Sequence, residues 1–311
     1  MIRVFIDGSA GTTGLRIRER LAGRQDLEIL SLPEELRKDA GARKEALNQA
    51  DVAFLCLPDD AAREAVKLVD NFHTILIDTS TAHRTQEGWD YGFPEIGDQR
   101  KRIQTSKRIA NPGCHASGFI ALAEPLIRAG AIQRDTILHC FSLTGYSGGG
   151  QKMIAEYEAA DRSPLLDAPR TYGLFQTHKH LKEMTAISGL ENPPVFTPIV
   201  APYYAGMEVV ISLSWADTYL TPETALEIYE KAYFGEKMIH VAERPDEEGF
   251  LSAGAYAGRD DMEISVWGNE DRMLLIARFD NLGKGASGAA IQNMNIALGL
   301  EETTGLIREE A

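Results

Sequence analysis

The stretch IRVFID at residues 2–7, followed at once by GSAGTTG at residues 8–14, decides the fold class of this chain. The first six residues are typical of a short buried strand, and Leu15, Ile17 and Leu21 continue in a helical spacing. Strand, glycine turn and helix in this order form the context that a phosphate-binding loop requires. The candidate cofactor contacts in the turn are Gly8, Ala10, Gly11, Thr12, Thr13 and Gly14.

The three glycines of this turn have separate expected roles. Gly8 permits the tight turn, Gly11 lets the backbone approach a pyrophosphate, and Gly14 lets the helix pack close to the strand. The spacing GxxGxxG differs from the GxGxxG of the most familiar dinucleotide sites. A glycine turn without a ligand is therefore the alternative interpretation.

Strands and helices continue to alternate as far as residue 78. Apolar runs at 28–32, 51–58 and 74–78 predict strands, and residues 59–69 predict a helix. This alternation predicts an α/β fold with a Rossmann-type, doubly wound parallel sheet. Such a sheet binds its ligands at the carboxyl ends of the strands.

The end of the second predicted strand bears on the choice of cofactor. A site for NAD usually ends this strand in Asp or Glu, which takes the ribose 2′-hydroxyl, but here the strand ends at Ser31. The basic residues Arg37, Lys38, Arg43 and Lys44 follow. They favour a 2′-phosphate and therefore NADP(H), with Ser31 and Arg37 as candidate contacts. The alternative is that the basic residues form the solvated face of a helix.

The pattern changes in the second half of the chain. Apolar runs at 136–143, 195–200, 208–215, 264–267 and 273–280 predict a second, mainly antiparallel sheet. Its strands alternate and offer one apolar face for burial, so this sheet is the candidate interface of a homo-oligomer. A helix of small residues at 286–300 follows a glycine-rich turn and is expected to pack on the first domain.

Composition and charge narrow the class of protein. The chain has 311 residues, which is long for one core, so two domains are expected. The formal net charge of −14 argues against nucleic acid and anionic membranes as partners. No stretch is typical of a membrane span or a signal peptide. The scattered Cys56, Cys114 and Cys140 predict neither disulfides nor a zinc site, so we expect a cytoplasmic location.

Asn111-Pro112-Gly113-Cys114 predicts a rigid turn that delivers a cysteine to the start of a helix. The apolar residues from 119 to 127 have the spacing of one helix face. Unpaired N–H groups and the macrodipole at a helix N-terminus stabilise a thiolate, so Cys114 is the candidate nucleophile. A buried structural cysteine is the alternative.

A thiolate beside a nicotinamide site suggests acyl chemistry through a thioester, with hydride transfer at the carbonyl carbon. Such chemistry needs an acid and base partner, and His178, His180 and Glu183 are available. If the segment is extended, the two histidines share a face, whereas in a helix His180 and Glu183 do. The alternatives are a zinc or iron site, for which no further ligand cluster is evident, and a surface histidine pair without function.

Eight stretches together resemble one enzyme family. They are DGSAGTTG from Asp7, FLCLPDDAA from Phe54, DTSTAHR from Asp78, YGFPE from Tyr91, NPGC from Asn111, TGYSGGG from Thr144, HKHLKE from His178 and DNLGKGASGAAIQNMN from Asp280. In this order they resemble the N-acetyl-gamma-glutamyl-phosphate reductases of arginine biosynthesis, and most closely the shorter form. The similarity runs over nearly the whole chain.

The resemblance implies a two-domain fold like that of glyceraldehyde-phosphate dehydrogenase. It implies an NADP-binding domain at 1–113 and 285–311, and a catalytic and oligomerisation domain at 114–284. By similarity Cys114 attacks a small anionic acyl phosphate, NADPH reduces the thioester, and N-acetylglutamate semialdehyde is released. We expect His180 to be the base, with His178 as the alternative. His115 stands where longer members carry a tyrosine, and it adds a third imidazole near the site.

The resemblance also implies the remaining contacts of substrate and cofactor. It assigns substrate contacts to Arg84, Tyr91, Glu95, Asn111 and Ser147. It assigns cofactor contacts to Ser147, Gly148, Gly149, Asn281 and Lys284. No residue is assigned to a metal ion. The alternative functions are an aspartate-semialdehyde dehydrogenase of the same mechanism, and a regulator that senses NADP without catalysis.

Overall fold

The computed structural model describes residues 1–308, except for the side chain at position 217. The chain divides into two compact units. The first comprises Met1–Pro112 and Ala286–Leu306, and the second comprises Gly113–Gly285 together with the chain from Ile307. The predicted phosphate-binding turn therefore lies in the first unit, and Cys114 lies in the second.

The first unit is built on a parallel sheet of the predicted Rossmann type. Its strands are β1 (Ile2–Asp7), β2 (Leu27–Leu30), β3 (Val52–Leu55), β4 (Ile75–Asp78), β5 (Asp90–Tyr91) and β6 (Arg108–Ala110). They are ordered β2-β1-β3-β4-β6-β5. All the paired strands are parallel, with Val4 opposite both Ile29 of β2 and Val52 of β3.

Helices cover both faces of this sheet. They are α1 (Thr12–Leu21), α2 (Ala40–Gln49), α3 (Asp59–Leu68), α4 (Gln99–Thr105) and α10 (Gly288–Ala297), with a 3-10 turn at Glu34–Leu36. Ile17 of α1 and Met294 of α10 join one buried cluster, whereas Leu47 of α2 and Ala65 of α3 join another. Because both faces are covered, β3 is apolar throughout and wholly buried.

The second unit is built on a seven-stranded mixed sheet. Its strands are β7 (His139–Gly145), β8 (Arg170–Thr171), β9 (Val195–Ala201), β10 (Met207–Ser214), β11 (Ile239–Val241), β12 (Met262–Gly268) and β13 (Arg272–Phe279). The order is β11-β12-β13-β10-β7-β9-β8. The predicted antiparallel pairing is confirmed from β12 to β7 and between β8 and β9. Parallel pairs join β11 to β12 and β7 to β9.

The helices of the second unit are α5 (Cys114–Arg128), α6 (Gly150–Glu158), α7 (Leu181–Ser188), α8 (Trp215–Thr218) and α9 (Pro222–Ala232). Tyr146–Gly149 and Pro164–Asp167 form 3-10 turns. The predicted helix at 286–300 begins only at Gly288, because Gly283–Ser287 form a π-helical turn before it. Among the described residues, no helix is both long and apolar enough to cross a membrane.

Helix α5, which begins at Cys114, is almost entirely buried. At Gly118 an added Cβ would lie 2.5 Å from Val209 of β10, so glycine lets the helix pack directly on the sheet. Pro125 has no N–H to donate to the carbonyl of Ala121. The hydroxyl of Tyr233 donates to that carbonyl instead, at 2.6 Å. This hydrogen bond satisfies the carbonyl that Pro125 leaves without a partner inside the helix that carries Cys114.

Candidate active site

The glycine turn after β1 has the tight geometry that the sequence predicts. Gly8 has a φ of +87°, and a Cβ added there would lie 2.2 Å from the carbonyl oxygen of Cys56. A Cβ on Gly14 would lie 2.6 Å from the carbonyl oxygen of Gly8. At Gly11 the nearest such atom is 3.6 Å away, which leaves room above the turn. Two glycines are thus needed for packing, while the third leaves the backbone accessible.

The N-terminus of α1 offers donors to a ligand. Gly11 is the N-cap residue and supplies no side-chain cap. The Thr12 hydroxyl is buried and has no hydrogen-bond partner among residues 1–308. Uncapped N–H groups and a hydroxyl at a helix N-terminus suit a phosphate group.

A cavity of about 630 Å³ adjoins this turn within the first unit. It brings together four predicted cofactor contacts, Gly8, Ala10, Ser31 and Arg37. Gly11, Thr12, Thr13 and Gly14 form the neighbouring start of α1. Strand β2 ends at Leu30, so Ser31 lies just beyond it at the rim of the cavity.

The basic residues around this cavity are not equivalent. Arg43 is held by Asp7 at the end of β1, with Nη2 2.8 Å from Oδ2 and both side chains largely buried. Its charge is therefore matched within the protein. Arg37 and Lys38 also line the cavity, as do Glu34 and Glu35. Arg37 and Lys38, together with Arg18 of α1, are the lining cations without such a match among the described residues.

Cys114 is the first residue of α5, which confirms the predicted helix start. Gly113, the N-cap residue, donates its N–H to Oε1 of Glu183 at 2.8 Å. Glu183 lies in the first turn of α7, where the helix dipole favours a negative charge. Its carboxylate therefore holds the turn that precedes Cys114. This contact differs from the metal ligation that was the alternative interpretation of the HxHxxE stretch.

His178 and His180 lie together in this unit but differ in their hydrogen bonds. Their ring centroids are 4.7 Å apart, edge to face. The backbone N–H of His180 donates to Nδ1 of His178 at 3.2 Å. Burial, aided by the charge of Lys179, lowers the pKa of His178 to about 4. His178 is therefore neutral near pH 7, and since its Nδ1 accepts a hydrogen bond, its proton is on Nε2. His180 is 5% exposed and is the N-cap residue of α7.

His115 is the third imidazole of this cluster. Its Nδ1 lies 2.6 Å from the Ser142 hydroxyl, and its Nε2 lies 2.6 Å from the Tyr172 hydroxyl. Its ring centroid is 5.6 Å from that of His178 and 5.7 Å from that of His180. Burial lowers the pKa of His115 to about 3, so it too is neutral near pH 7.

The segment that carries Tyr172 and His178 is fixed to strand β9. The side-chain amide of Gln176 donates to the carbonyl of Phe196 at 2.7 Å and accepts from its N–H at 2.9 Å. These two bonds hold Gln176 at a φ of +55°, which is unusual for a residue other than glycine. The N–H of Tyr172 also donates to the carbonyl of Pro198 at 3.0 Å. The loop is therefore positioned by β9.

The glycine loop after β7 is tied to the segment before the π-helical turn. Nδ2 of Asn281 donates to the Ser147 hydroxyl at 3.0 Å, and its Oδ1 accepts from the N–H of Gly206 at 3.0 Å. The adjacent Gly148 and Gly149 complete the predicted loop. Lys284 is buried, with 1% of its surface exposed.

Gly285 lies directly against Cys114. A Cβ added at Gly285 would lie 2.9 Å from the Cβ of Cys114, so only glycine lets the backbone approach the cysteine this closely. The sequence places Gly285 in a glycine-rich turn but gives no sign of this contact. The sequence likewise gives no sign of the contact of Tyr172 with His115, because it joins residues 57 positions apart.

The predicted substrate contacts of the first unit are all buried. Arg84 donates from Nε to the carbonyl of Asn111 at 2.9 Å and from Nη2 to the carbonyl of Thr79 at 3.0 Å. Asn111 donates to the carbonyl of Ala286 at 3.0 Å. Arg84 and Asn111 are thus brought together.

Tyr91 and Glu95 lie in the following segment. Tyr91 belongs to β5 and is buried. Oε1 of Glu95 accepts a hydrogen bond from the side-chain amide of Gln292 in α10 at 2.7 Å. The Glu95 carboxylate therefore has a structural contact within its own unit.

Two family models match the chain. The semialdehyde dehydrogenase NAD binding domain matches residues 24–106, and the semialdehyde dehydrogenase dimerisation domain matches residues 114–281. A protein of Nostoc sp. named N-acetyl-gamma-glutamyl-phosphate reductase 2 is 45% identical, covering 98% of this chain and 99% of its own. A protein of that name from Pseudomonas putida is 42% identical, covering 97% and 98%.

The chain belongs to the N-acetyl-gamma-glutamyl-phosphate reductase family. Aspartate semialdehyde dehydrogenase II from Vibrio cholerae has a TM-score of 0.71 at 16% identity, covering 96% of this chain and 98% of its own. That likeness confirms the fold of the reductase family member, a Rossmann-type domain with a mixed-sheet domain. The family and its NAD binding model make the chain an oxidoreductase with a domain for a nicotinamide cofactor.

Proposed function

We propose that this protein uses NADPH to reduce N-acetyl-gamma-glutamyl phosphate to N-acetylglutamate semialdehyde, a step of arginine biosynthesis. The observation that carries the proposal is the setting of Cys114, which begins a buried helix next to His115, whose ring contacts those of His178 and His180. The names of its full-length relatives supply the choice of acyl phosphate.

The start of α5 prepares Cys114 for attack on the acyl carbon. The helix dipole and the first-turn N–H groups stabilise a thiolate there. As the thiolate attacks, a C–S bond forms and the C–O bond to phosphate breaks, leaving a thioester on Cys114. NADPH, when bound, supplies the hydride that reduces this thioester. The resulting hemithioacetal releases the aldehyde and returns the thiolate of Cys114.

We assign the acid and base role to His180. The Nδ1 lone pair of His178 is occupied by the His180 N–H, and its Nε2 carries the proton, so neutral His178 has no lone pair to offer a thiol. His115 uses both ring nitrogens on hydroxyl groups. His180 is thus the imidazole of the cluster that we expect to take the Cys114 proton.

We assign the cavity beside α1 to the adenosine end of NADP(H). The turn residues Gly8, Ala10, Gly11, Thr12, Thr13 and Gly14 would hold the pyrophosphate. Ser31 and Arg37 would hold the 2′-phosphate, since no acidic residue ends β2 and Arg37 is not matched as Arg43 is. The contacts proposed for the nicotinamide end are Ser147, Gly148, Gly149, Asn281 and Lys284.

The proposed substrate contacts are Arg84, Tyr91, Asn111 and Ser147. The guanidinium of Arg84 suits a carboxylate or phosphate in its planar, bidentate geometry. Glu95 stays a predicted contact, although its bond to Gln292 favours a bracing role. No metal ion has a part in this proposal.

We further propose that the protein is a homo-oligomer that pairs through the mixed sheet. One face of this sheet exposes Phe141, Val195 and Leu274, each more than 40% accessible. The family model matched here is named a dimerisation domain. A monomeric mass in sedimentation at micromolar concentration would contradict this assembly.

The activity is tested in the reverse direction. The protein is given NADP, phosphate and either N-acetylglutamate semialdehyde or aspartate semialdehyde, and NADPH formation is followed by absorbance. We expect reduction of NADP only with the acetylated substrate. Activity only with aspartate semialdehyde would select the other enzyme, and activity with neither would favour a cofactor sensor. Tighter binding of NAD than of NADP would overturn the cofactor assignment.

A further inference from the structure

His115 links two hydroxyl groups in one chain of hydrogen bonds. Ser142 lies at its Nδ1 and Tyr172 at its Nε2, both at 2.6 Å. A neutral imidazole has one nitrogen that donates and one that accepts. The chain therefore runs in a single direction, either from Ser142 to Tyr172 or from Tyr172 to Ser142.

The burial of Ser142 decides this direction. Ser142 lies on β7 with none of its surface exposed, and within residues 1–308 its side chain bonds only to His115. If Nδ1 of His115 carried the proton, the Ser142 hydroxyl hydrogen would be buried without an acceptor, which costs free energy. Ser142 therefore donates to Nδ1, and the Nε2–H of His115 donates to the Tyr172 oxygen.

The direction leaves the hydroxyl hydrogen of Tyr172 for another acceptor. Tyr172 is partly exposed, unlike Ser142, so its hydrogen can reach a ligand or water. Burial, and after it the charge of Cys114, raises the pKa of Tyr172. The hydroxyl therefore keeps its proton near pH 7, and its hydrogen bond holds it against His115, the residue that follows Cys114 in α5.

We propose that Tyr172 is a further catalytic residue, which donates a hydrogen bond to the acyl oxygen on Cys114 as that oxygen becomes negative. His115 and Ser142 are its positioning residues. The proposal rests on the proposed thioester chemistry. When Sγ of Cys114 forms its bond to the acyl carbon, the π pair of the carbonyl moves to oxygen. Tyr172 stabilises this oxygen and retains its own proton, and the carbonyl re-forms as the leaving group departs.

The test compares two reactions of the Cys114 thiolate in the full-length protein. Acylation by p-nitrophenyl acetate passes through a tetrahedral oxyanion, whereas alkylation by iodoacetamide is a direct displacement without one. We expect Tyr172→Phe to slow acylation about 100-fold, the usual loss for one oxyanion donor. The same variant should leave the alkylation rate unchanged, because the thiolate is intact.

Two controls separate this role from a structural one. Tyr219→Phe changes an exposed tyrosine and should alter neither rate. His115→Phe should slow acylation, and adding Tyr172→Phe should slow it no further, because both changes remove the same hydrogen bond. His115→Gln, which keeps a donor and an acceptor, should recover most of the rate and also tests the role if His115→Phe does not fold.

Three results would overturn the proposal. One is an equal loss in acylation and alkylation by Tyr172→Phe, which would mean an effect on the thiolate or the fold. Another is an unchanged acylation rate. The third is a loss in the double variant equal to the product of the single losses. Because p-nitrophenyl acetate needs neither cofactor nor phosphate, the proposal can be tested even if the wild-type protein fails to reduce N-acetyl-gamma-glutamyl phosphate.

Discussion

Helices α1 and α5 both begin after a glycine, but their N-termini are surrounded differently. The start of α1 adjoins an open cavity, and the Thr12 hydroxyl beside it has no protein partner in the described chain. The start of α5 is packed with hydrogen-bonded side chains, among them Glu183 on the Gly113 N–H and His115 between two hydroxyl groups.

On the proposed function, the difference is that between a binding site and a reacting site. At α1 the groups that we propose for the cofactor are mainly backbone groups beside a cavity, so we expect several weak contacts to share the binding. At α5 a few side chains are fixed by specific hydrogen bonds beside Cys114 in the chain, so we expect each to have a distinct chemical role. Single substitutions should therefore cost much more around α5 than around the cavity at α1.

The largest effect is expected at Cys114. Cys114→Ser removes the thiolate, and loss of a nucleophile typically lowers kcat by about 1,000-fold or more. The dissociation constant of NADPH, measured by fluorescence titration, should stay the same because the cavity at α1 is untouched. A Ser variant as active as the wild type would refute the thioester mechanism.

The next effect distinguishes the two histidines of the HxH pair. His180→Ala should lower kcat/KM about 100-fold or more, the usual contribution of a general base. It should also remove the limb of the pH–rate profile near neutral pH. His178→Ala should retain that limb, since the pKa of His178 is already lowered to about 4. If only His178→Ala loses the limb, the assignment of the base is wrong.

Acid should destabilise the protein through the buried histidines near the start of α5 more than through the cavity at the start of α1. His115 and His178 are neutral in the folded chain down to about pH 4, but in the unfolded chain they bind protons below about pH 6.5. The unfolded state then holds more protons, so the free energy of unfolding falls as the pH drops below 6.5. At pH 5.5 His115, which is fully buried, should account for about 1.4 kcal/mol of this loss, and the partly exposed His178 for less because solvent screens its charge.

Urea unfolding at pH 7 and pH 5.5 measures this contribution. His115→Gln should reduce the difference between the two pH values by about 1.4 kcal/mol. His73→Gln, at an exposed position, is the matched control and should leave the difference unchanged. An unaltered pH dependence in His115→Gln would mean that this imidazole is not held neutral.

The same contrast explains how much the sequence predicts. Local chemistry predicts both helix starts, because Gly8 to Gly14 and Asn111 to Gly113 are turns whose residues lie next to one another in the chain. The contacts of the packed site join distant residues, such as Gly113 with Glu183 and His115 with Tyr172. Their partners are chosen by the register of β7 with β9 and by the loop fixed at Gln176, which no local spacing reveals.

The sequence predicts basic residues around the cavity but does not predict their ion pairs. Four basic residues follow β2 in the sequence. In the structure one of them, Arg43, forms an ion pair with Asp7. A pairing between residues 36 positions apart depends on where α2 lies beside β1. The basic residues therefore predict an anion site, while the fold decides which of them can serve it.

Arg37→Ala has the smallest expected effect. It tests whether several groups share the binding of NADPH in the cavity at α1. Arg37→Ala should weaken NADPH binding about tenfold, equivalent to about 1.4 kcal/mol, because Lys38 and Ser31 still line the cavity. Binding of NADH should be unchanged, since it lacks the 2′-phosphate. Arg16→Ala is the matched control on α1, outside the cavity lining, and should alter neither affinity. An equal loss for both cofactors would place Arg37 on the pyrophosphate, and a loss as large as that of Cys114→Ser would mean that one side chain dominates this site too.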